Sequence, residues 1–117
     1  MAISSASVSR TASSPPPYPV SAVTDVMREE LLRAVRARFK RKGESISGSD
    51  DQIVALPVEI DSLTVVELLS SLDDILPFTV SESVVRAGGY GSIQDALQHV
   101  VGRIEAKWNK HHAGGKP

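Results

Sequence analysis
The stretch VEIDSLTVVELLSSLDDILP, residues 58–77, decides how this chain is read. From Ser62 onward its apolar residues, Val65, Leu68, Leu69, Leu72, Ile75 and Leu76, recur at spacings of three and four. That period puts them on one face of a helix, so the pattern predicts a helix from Ser62 to about Leu76. Pro77 stops it, because proline has no N–H to donate and its ring crowds the preceding turn. A serine opening a helix usually caps it by accepting a hydrogen bond from a free backbone N–H. The question is whether Ser62 is only a cap or a hydroxyl held out for chemistry.

Residues 44–61 lack helical periodicity and read as a long loop, which in a small domain is functional or tied down by its own side chains. Ile53, Val54, Leu56, Val58 and Ile60 could pin it to a core, and Pro57 suits an extended course. Before it, Val23, Val26, Met27, Leu31, Ala34 and Val35 form an apolar stripe, predicting a helix from Ser21 or Thr24 to about Lys42. Basic residues crowd its last turns, where the helix dipole favours cations, and Gly43 follows as a stop. Beyond Pro77, SESVVRAGG suggests a short helix capped by Ser81 and broken at Gly88, Gly89 and Gly91. The glycines could cradle a phosphate, but no strand precedes them and no Lys or Ser/Thr follows at the spacing of a phosphate-binding loop, so they read as a turn. The last helix is the clearest. Ser92 caps it, Asp95 completes a capping-box-like pair, and Ile93, Ala96, Leu97, Val100, Val101, Ile104 and Trp108 share a face. The expected architecture is all-α, with three main helices, a short one, and a long first connection.

A chain of 117 residues has room for one domain. Its boundaries are expected as a disordered N-terminal tail over 1–20, a folded domain over 21–108 and a flexible tail over 109–117. With no cysteine there is no disulfide framework and no thiolate site, so any thiol chemistry needs an attached cofactor. No apolar run has the length of a membrane span, and a cytoplasmic protein is the default expectation. The net charge of −1 conceals an asymmetry. Between Gly43 and Val85 stand Glu44, Asp50, Asp51, Glu59, Asp61, Glu67, Asp73, Asp74 and Glu82 without a single Lys or Arg, and both flanks are basic. Such a segment attracts basic surfaces. The basic run RARFKRK at the end of the first helix lacks the aromatic interleaving of a nucleic-acid binder and reads as a solvated helix end.

Catalytic equipment is sparse. A nucleophilic serine needs a base within hydrogen-bonding reach. His99 falls beside an apolar stripe, while His111 and His112 sit in the tail. Asp73 and Asp74 are adjacent on a helix and point in different directions. No metal-ligand spacing occurs. A serine at the first helical residue has another use, since the neighbouring N–H groups and the dipole would tolerate a phosphate placed on it.

At DSLTVVELL the residues resemble the modification motif of the acyl carrier protein family, in which an Asp-Ser-Leu triplet opens the second helix of a four-helix bundle. The resemblance covers residues from about 24 to 108. It rests on the triplet, on Val66, Glu67 and Leu68 in register, on the acidic helix, and on the long loop and short third helix around it. It implies that Ser62 carries 4'-phosphopantetheine, derived from coenzyme A, whose thiol holds acyl groups as thioesters. It further implies that Asp61 and Leu63 are read by a phosphopantetheinyl transferase, and that Glu67, Asp73 and Asp74 meet basic patches on acyl-transferring, ligase or synthase enzymes. The protein would then be a non-catalytic, monomeric carrier with no nucleic-acid partner.

Four features depart from the housekeeping fatty-acid carriers: Thr64 stands where an acid is common, Ser70 replaces a bulky apolar residue, the first helix is basic, and the expected tail over residues 1–20 is extra. They point to a specialised member serving fatty-acid, lipid or related biosynthesis. An aminoacyl, peptidyl or polyketide carrier, or an unmodified helical interaction module in which Ser62 is only a cap, are the alternatives.

Overall fold
The computed structural model describes residues 17–114, with side chains from 17 to 112. Among the described residues four α-helices follow one another: α1 (Val20–Arg41), α2 (Asp50–Ala55), α3 (Ser62–Leu68) and α4 (Ile93–Gly114). Two 3₁₀ turns, Leu69–Leu72 and Glu82–Val84, lie between α3 and α4. Among the described residues there is no strand, only one isolated antiparallel bridge between Ile60 and Tyr90. The described residues are all-helical, as the periodicity required.

α1 and α4 form the frame, each 22 residues long and packed against the other. The apolar stripe of α1 buries Val23, Met27, Leu31, Leu32 and Val35, and that of α4 buries Ile93, Ala96, Val100, Ile104 and Trp108. Fully burying a side chain of Leu, Ile or Met size contributes about 1.5–3 kcal/mol each. No polar or charged residue is buried as a whole among the described residues, although Arg38 Nε and His112 Nε2 are buried without a hydrogen-bond partner. α1 begins after Pro19 without a side-chain cap, one residue before the expected Ser21. It ends as expected at Gly43, whose φ of 77° no branched residue would accept easily. There the N–H of Glu44 donates to the Phe39 carbonyl at 2.9 Å and that of Gly43 to Lys40 at 3.0 Å, the paired bonds of a Schellman stop.

The structure revises four expectations. Residues 44–61 are not all loop, because Asp50–Ala55 is helical. Ser49 and Gln52 make a reciprocal capping box, Gln52 N–H to Ser49 Oγ at 3.3 Å and Ser49 N–H to Gln52 Oε1 at 2.9 Å. Next, the helix opening at Ser62 ends at Leu68, not Leu76. Serine is a weaker helix former than leucine and the Asp73–Asp74 pair is unfavourable at a helix C-terminus, which accords with the chain tightening into a 3₁₀ turn. In that turn residues three apart eclipse, which keeps both Leu69 and Leu72 buried.

Third, α4 continues through residues 109–114, which were expected to be tail. The His111 ring lies 5.2 Å from that of Phe78, and the His112 ring 4.5 Å from that of Trp108. Last, Tyr18, placed in the expected N-terminal tail, is docked on α4. Its hydroxyl donates to the Val101 carbonyl at 3.0 Å, its ring stands 5.8 Å from Trp108, and burial, with the charge of Glu105 adding, pushes its pKa up to about 12. Residues 1–16 of that expected tail, and 115–117, lie outside the described residues.

The charge asymmetry is partly consumed within the fold. Asp50 pairs with Arg36 at 2.7 Å and Asp51 pairs with Arg28, tying α2 to the basic face of α1. Such exposed pairs are worth about 0–1 kcal/mol each. They fix the position of α2 more than they add stability.

Candidate functional site
Asp61, not Ser62, caps α3. Its backbone is extended (φ −77°, ψ 159°), and its Oδ1 accepts a hydrogen bond from the Thr64 N–H at 2.7 Å. That bond, with a second from the Thr64 side chain, holds the Asp61 carboxyl below its ordinary range, and the charge of Arg38 adds to the effect. Ser62 is the first helical residue and is half-exposed. Among the described residues nothing hydrogen-bonds its hydroxyl. The cap reading of this serine is therefore overturned: the fold fills that role with its neighbour. Leu63 follows with 64% of its surface exposed, while Val65, one turn on from Ser62, is fully buried. The triplet thus presents a carboxylate, a hydroxyl and an apolar side chain along one exposed edge.

Two contacts clamp the chain just before this edge. From α1, Arg38 Nη1 donates to the Glu59 carbonyl at 2.7 Å. From the other side, Ile60 and Tyr90 exchange backbone hydrogen bonds, Ile60 N–H to Tyr90 O at 2.9 Å and Tyr90 N–H to Ile60 O at 2.8 Å. Neither Arg38 nor Tyr90 stood out in the sequence. Arg38 sat within a basic run, and Tyr90 within a glycine-rich turn.

The histidines are engaged elsewhere. His99 Nδ1 lies 2.8 Å from the Tyr90 hydroxyl, and His111 and His112 face Phe78 and Trp108. Burial, with the charges of Arg86 and Arg103 nearby, lowers the pKa of His99 from its ordinary value. No three His, Cys, Asp or Glu side chains converge among the described residues. Asp95 receives the Gly91 N–H at 3.2 Å and its own N–H donates to Ser92 Oγ at 3.0 Å. The expected reciprocal pair with Ser92 is thus shifted, the return bond coming from Gly91.

Glu67, Asp73 and Asp74 are all exposed and form no ion pair among the described residues. They do not share one helical face, because α3 ends at Leu68 and the seven-residue spacing of Glu67 and Asp74 spans a 3₁₀ turn. Glu67 also lines a groove of about 180 Å³ together with Arg38 and Arg41 of α1. The phosphate-favouring field expected at the start of α3 is modest for the same local reasons. The helix has seven residues, and Asp61 already brings a negative charge to its first turn.

No helix among the described residues is long and apolar enough to cross a membrane. In comparisons with family models, with curated proteins and with solved structures, nothing matches this chain.

Proposed function
We propose that the protein is an acyl carrier of the phosphopantetheine-dependent type and that Ser62 is its attachment site. The observation that carries this reading is the Asp61–Ser62–Leu63 edge. A serine freed from capping stands half-exposed at a rigid helix start, beside an exposed leucine, on a backbone clamped from both sides. The succession of a long α1, a loop, a helix opening at Ser62, a short turn of helix and a capped final helix supports an acyl-carrier-like bundle.

The residues fit the group. An unengaged hydroxyl at the surface can meet coenzyme A held by a transferase, where the Ser62 oxygen would form a bond to the phosphorus bearing the pantetheine. The diphosphate linkage breaks, the adenosine bisphosphate leaves, and the serine proton passes to a base of the transferase. No base hydrogen-bonds Ser62 among the described residues, which suits a serine that is a substrate better than one that is a catalyst. Once attached, the arm supplies a terminal thiol for thioesters, which the cysteine-free chain lacks. Ser62 fixes where the arm begins, Asp61 orders the first turn, and Leu63 offers apolar contact to the modifying enzyme. Glu67, Asp73 and Asp74 steer basic partner enzymes toward that point. The basic α1 and Thr64 fit a specialised member better than a housekeeping carrier.

Intact mass measurement after incubation with coenzyme A and a promiscuous phosphopantetheinyl transferase tests the reading. The wild-type chain should gain one arm and Ser62→Ala none, with unchanged helicity because the cap is Asp61. An alanine variant modified as fully as the wild type would remove Ser62 from the role.

A further inference from the structure
The loop over 86–91 approaches the backbone just before the modification edge. Gly89 has φ +86°, and a Cβ built there would lie 2.3 Å from the Ile60 carbonyl oxygen and 3.0 Å from the Asp61 Cα. Only glycine allows both the conformation and the contact. Its neighbour Tyr90 makes the two bridge hydrogen bonds to Ile60. We infer that Gly89 is a positioning residue for Ser62, and that this loop sets the pose in which the hydroxyl is presented. The inference rests on the reading of Ser62 as an attachment site.

The geometry gives the loop the stiffness this requires. The Arg86 N–H donates to the Tyr90 hydroxyl at 2.8 Å, and Arg86 Nε donates to the Gly89 carbonyl at 3.2 Å. The guanidinium stands 4.6 Å over the Tyr90 ring and pairs with Asp95 in the first turn of α4. The Tyr90 hydroxyl also meets His99 Nδ1, one turn further along α4. A chain of contacts therefore runs from α4 through Arg86 and Tyr90 to Gly89, then to Ile60 and Asp61, and Ser62 is the next residue. α3 needs such support, since a two-turn helix cannot hold itself in place.

Gly88 provides an internal control. Its φ is +91°, so alanine there suffers the same backbone strain, but its Cβ would have nothing within 4 Å. Strain without contact can thus be compared with strain plus contact. Gly88→Ala and Gly89→Ala are made in the full chain, and transferase kinetics are measured at a temperature where circular dichroism shows each to be folded. Displacing a reacting group by an ångström-scale shift costs about 10- to 100-fold, so kcat/KM of Gly89→Ala should fall by that factor. The loss should lie in kcat, because the acidic docking residues are untouched. Gly88→Ala should match the wild type.

Equal rates for the two variants, whether both slow or both normal, overturn the inference. Amide spectra give a second reading that needs no modification: Asp61, Ser62, Leu63 and Thr64 should shift in Gly89→Ala and stay in place in Gly88→Ala, and the reverse overturns the claim. If the wild-type chain is never modified, the reading of Ser62 fails, yet these spectra still decide the positioning role. If Gly89→Ala does not fold, hydrogen exchange of the wild type decides. The Ile60, Tyr90 and Thr64 amides should open together, and a Thr64 amide that opens independently of the bridge contradicts the coupling.

Discussion

α1 and α4 are each 22 residues long, whereas the stretch between Leu56 and Ser92 contains one α-helix of seven. The long helices are held by side chains. Val23, Met27, Leu31, Val100 and Ile104 are completely removed from solvent, and regular backbone hydrogen bonds need no outside help. The short segment is held by backbone contacts made at a distance: the Arg38 bond to Glu59, the Ile60–Tyr90 bridge, and the approach of Gly89. It also buries side chains, among them Val65, Leu69 and Leu72, but it leaves Leu63 in water. The contrast separates two jobs. One region makes the fold stable, and the other presents a few residues in a defined pose at little cost to stability.

Core deletion should have the largest effect on stability. Leu31→Ala, at a fully buried position on α1, should cost about 2–5 kcal/mol, read as a lower urea midpoint. Leu63→Ala should change stability by no more than about 0.5 kcal/mol and yet slow transferase modification. If Leu63→Ala destabilised as much as Leu31→Ala, the division between the two regions would collapse.

An intermediate effect is expected at the cap. Asp61→Ala should cost about 0.5–2 kcal/mol and speed exchange of the Thr64 amide, whereas Ser62→Ala should do neither. The folded-state pKa of Asp61 lies below its unfolded value of 3.8, so its stabilisation is fully present above that value and is lost as pH falls through the lower folded one. Acid unfolding curves of wild type and Asp61→Ala should therefore converge at low pH. Curves separated by a constant amount would mean that the carboxylate is not what caps α3.

The smallest structural effect should come from Glu67→Lys with Asp74→Lys. Both residues are exposed, so circular dichroism should barely change. Modification should slow most at low ionic strength and recover as salt screens the charges. Because Arg38 and Arg41 line the same groove as Glu67, the single Asp74→Lys variant should carry the larger share of the loss. Equal rates at every salt concentration would reduce these acids to a solvated surface.

What the sequence disclosed follows the same division. α1 and α4 were legible because each repeats a 3.6-residue period over several turns and is bounded by a recognisable signal, Gly43 after α1 and Ser92 before α4. The buried stripe after Ser62 was legible too, since Val65, Leu69, Leu72 and Leu76 are all buried. Its helix type was not, because spacings of three and four fit an α-helix and a 3₁₀ turn equally well over so short a run. α2 was missed although Ser49 and Gln52 spell a capping box, because six residues are too few to show a period. At the site, Asp61, Ser62 and Leu63 could be picked from the triplet alone. The clamp could not. Arg38 and Gly89 act through contacts 21 and 29 residues away in sequence, and local patterns carry no trace of such pairings.

Fragment mass spectrometry of the modified wild-type chain tests the central claim most directly. Trypsin finds no Lys or Arg between Gly43 and Val85, so one peptide, residues 43–86, holds Ser62 together with Ser45, Ser47, Ser49, Ser70, Ser71, Ser81 and Ser83. If the Asp61–Ser62–Leu63 edge is the presented site, the phosphopantetheine mass appears in fragments that contain Ser62 and is missing from those that do not. An arm on any other serine of that peptide, or an unmodified peptide after full exposure to coenzyme A and the transferase, would contradict it.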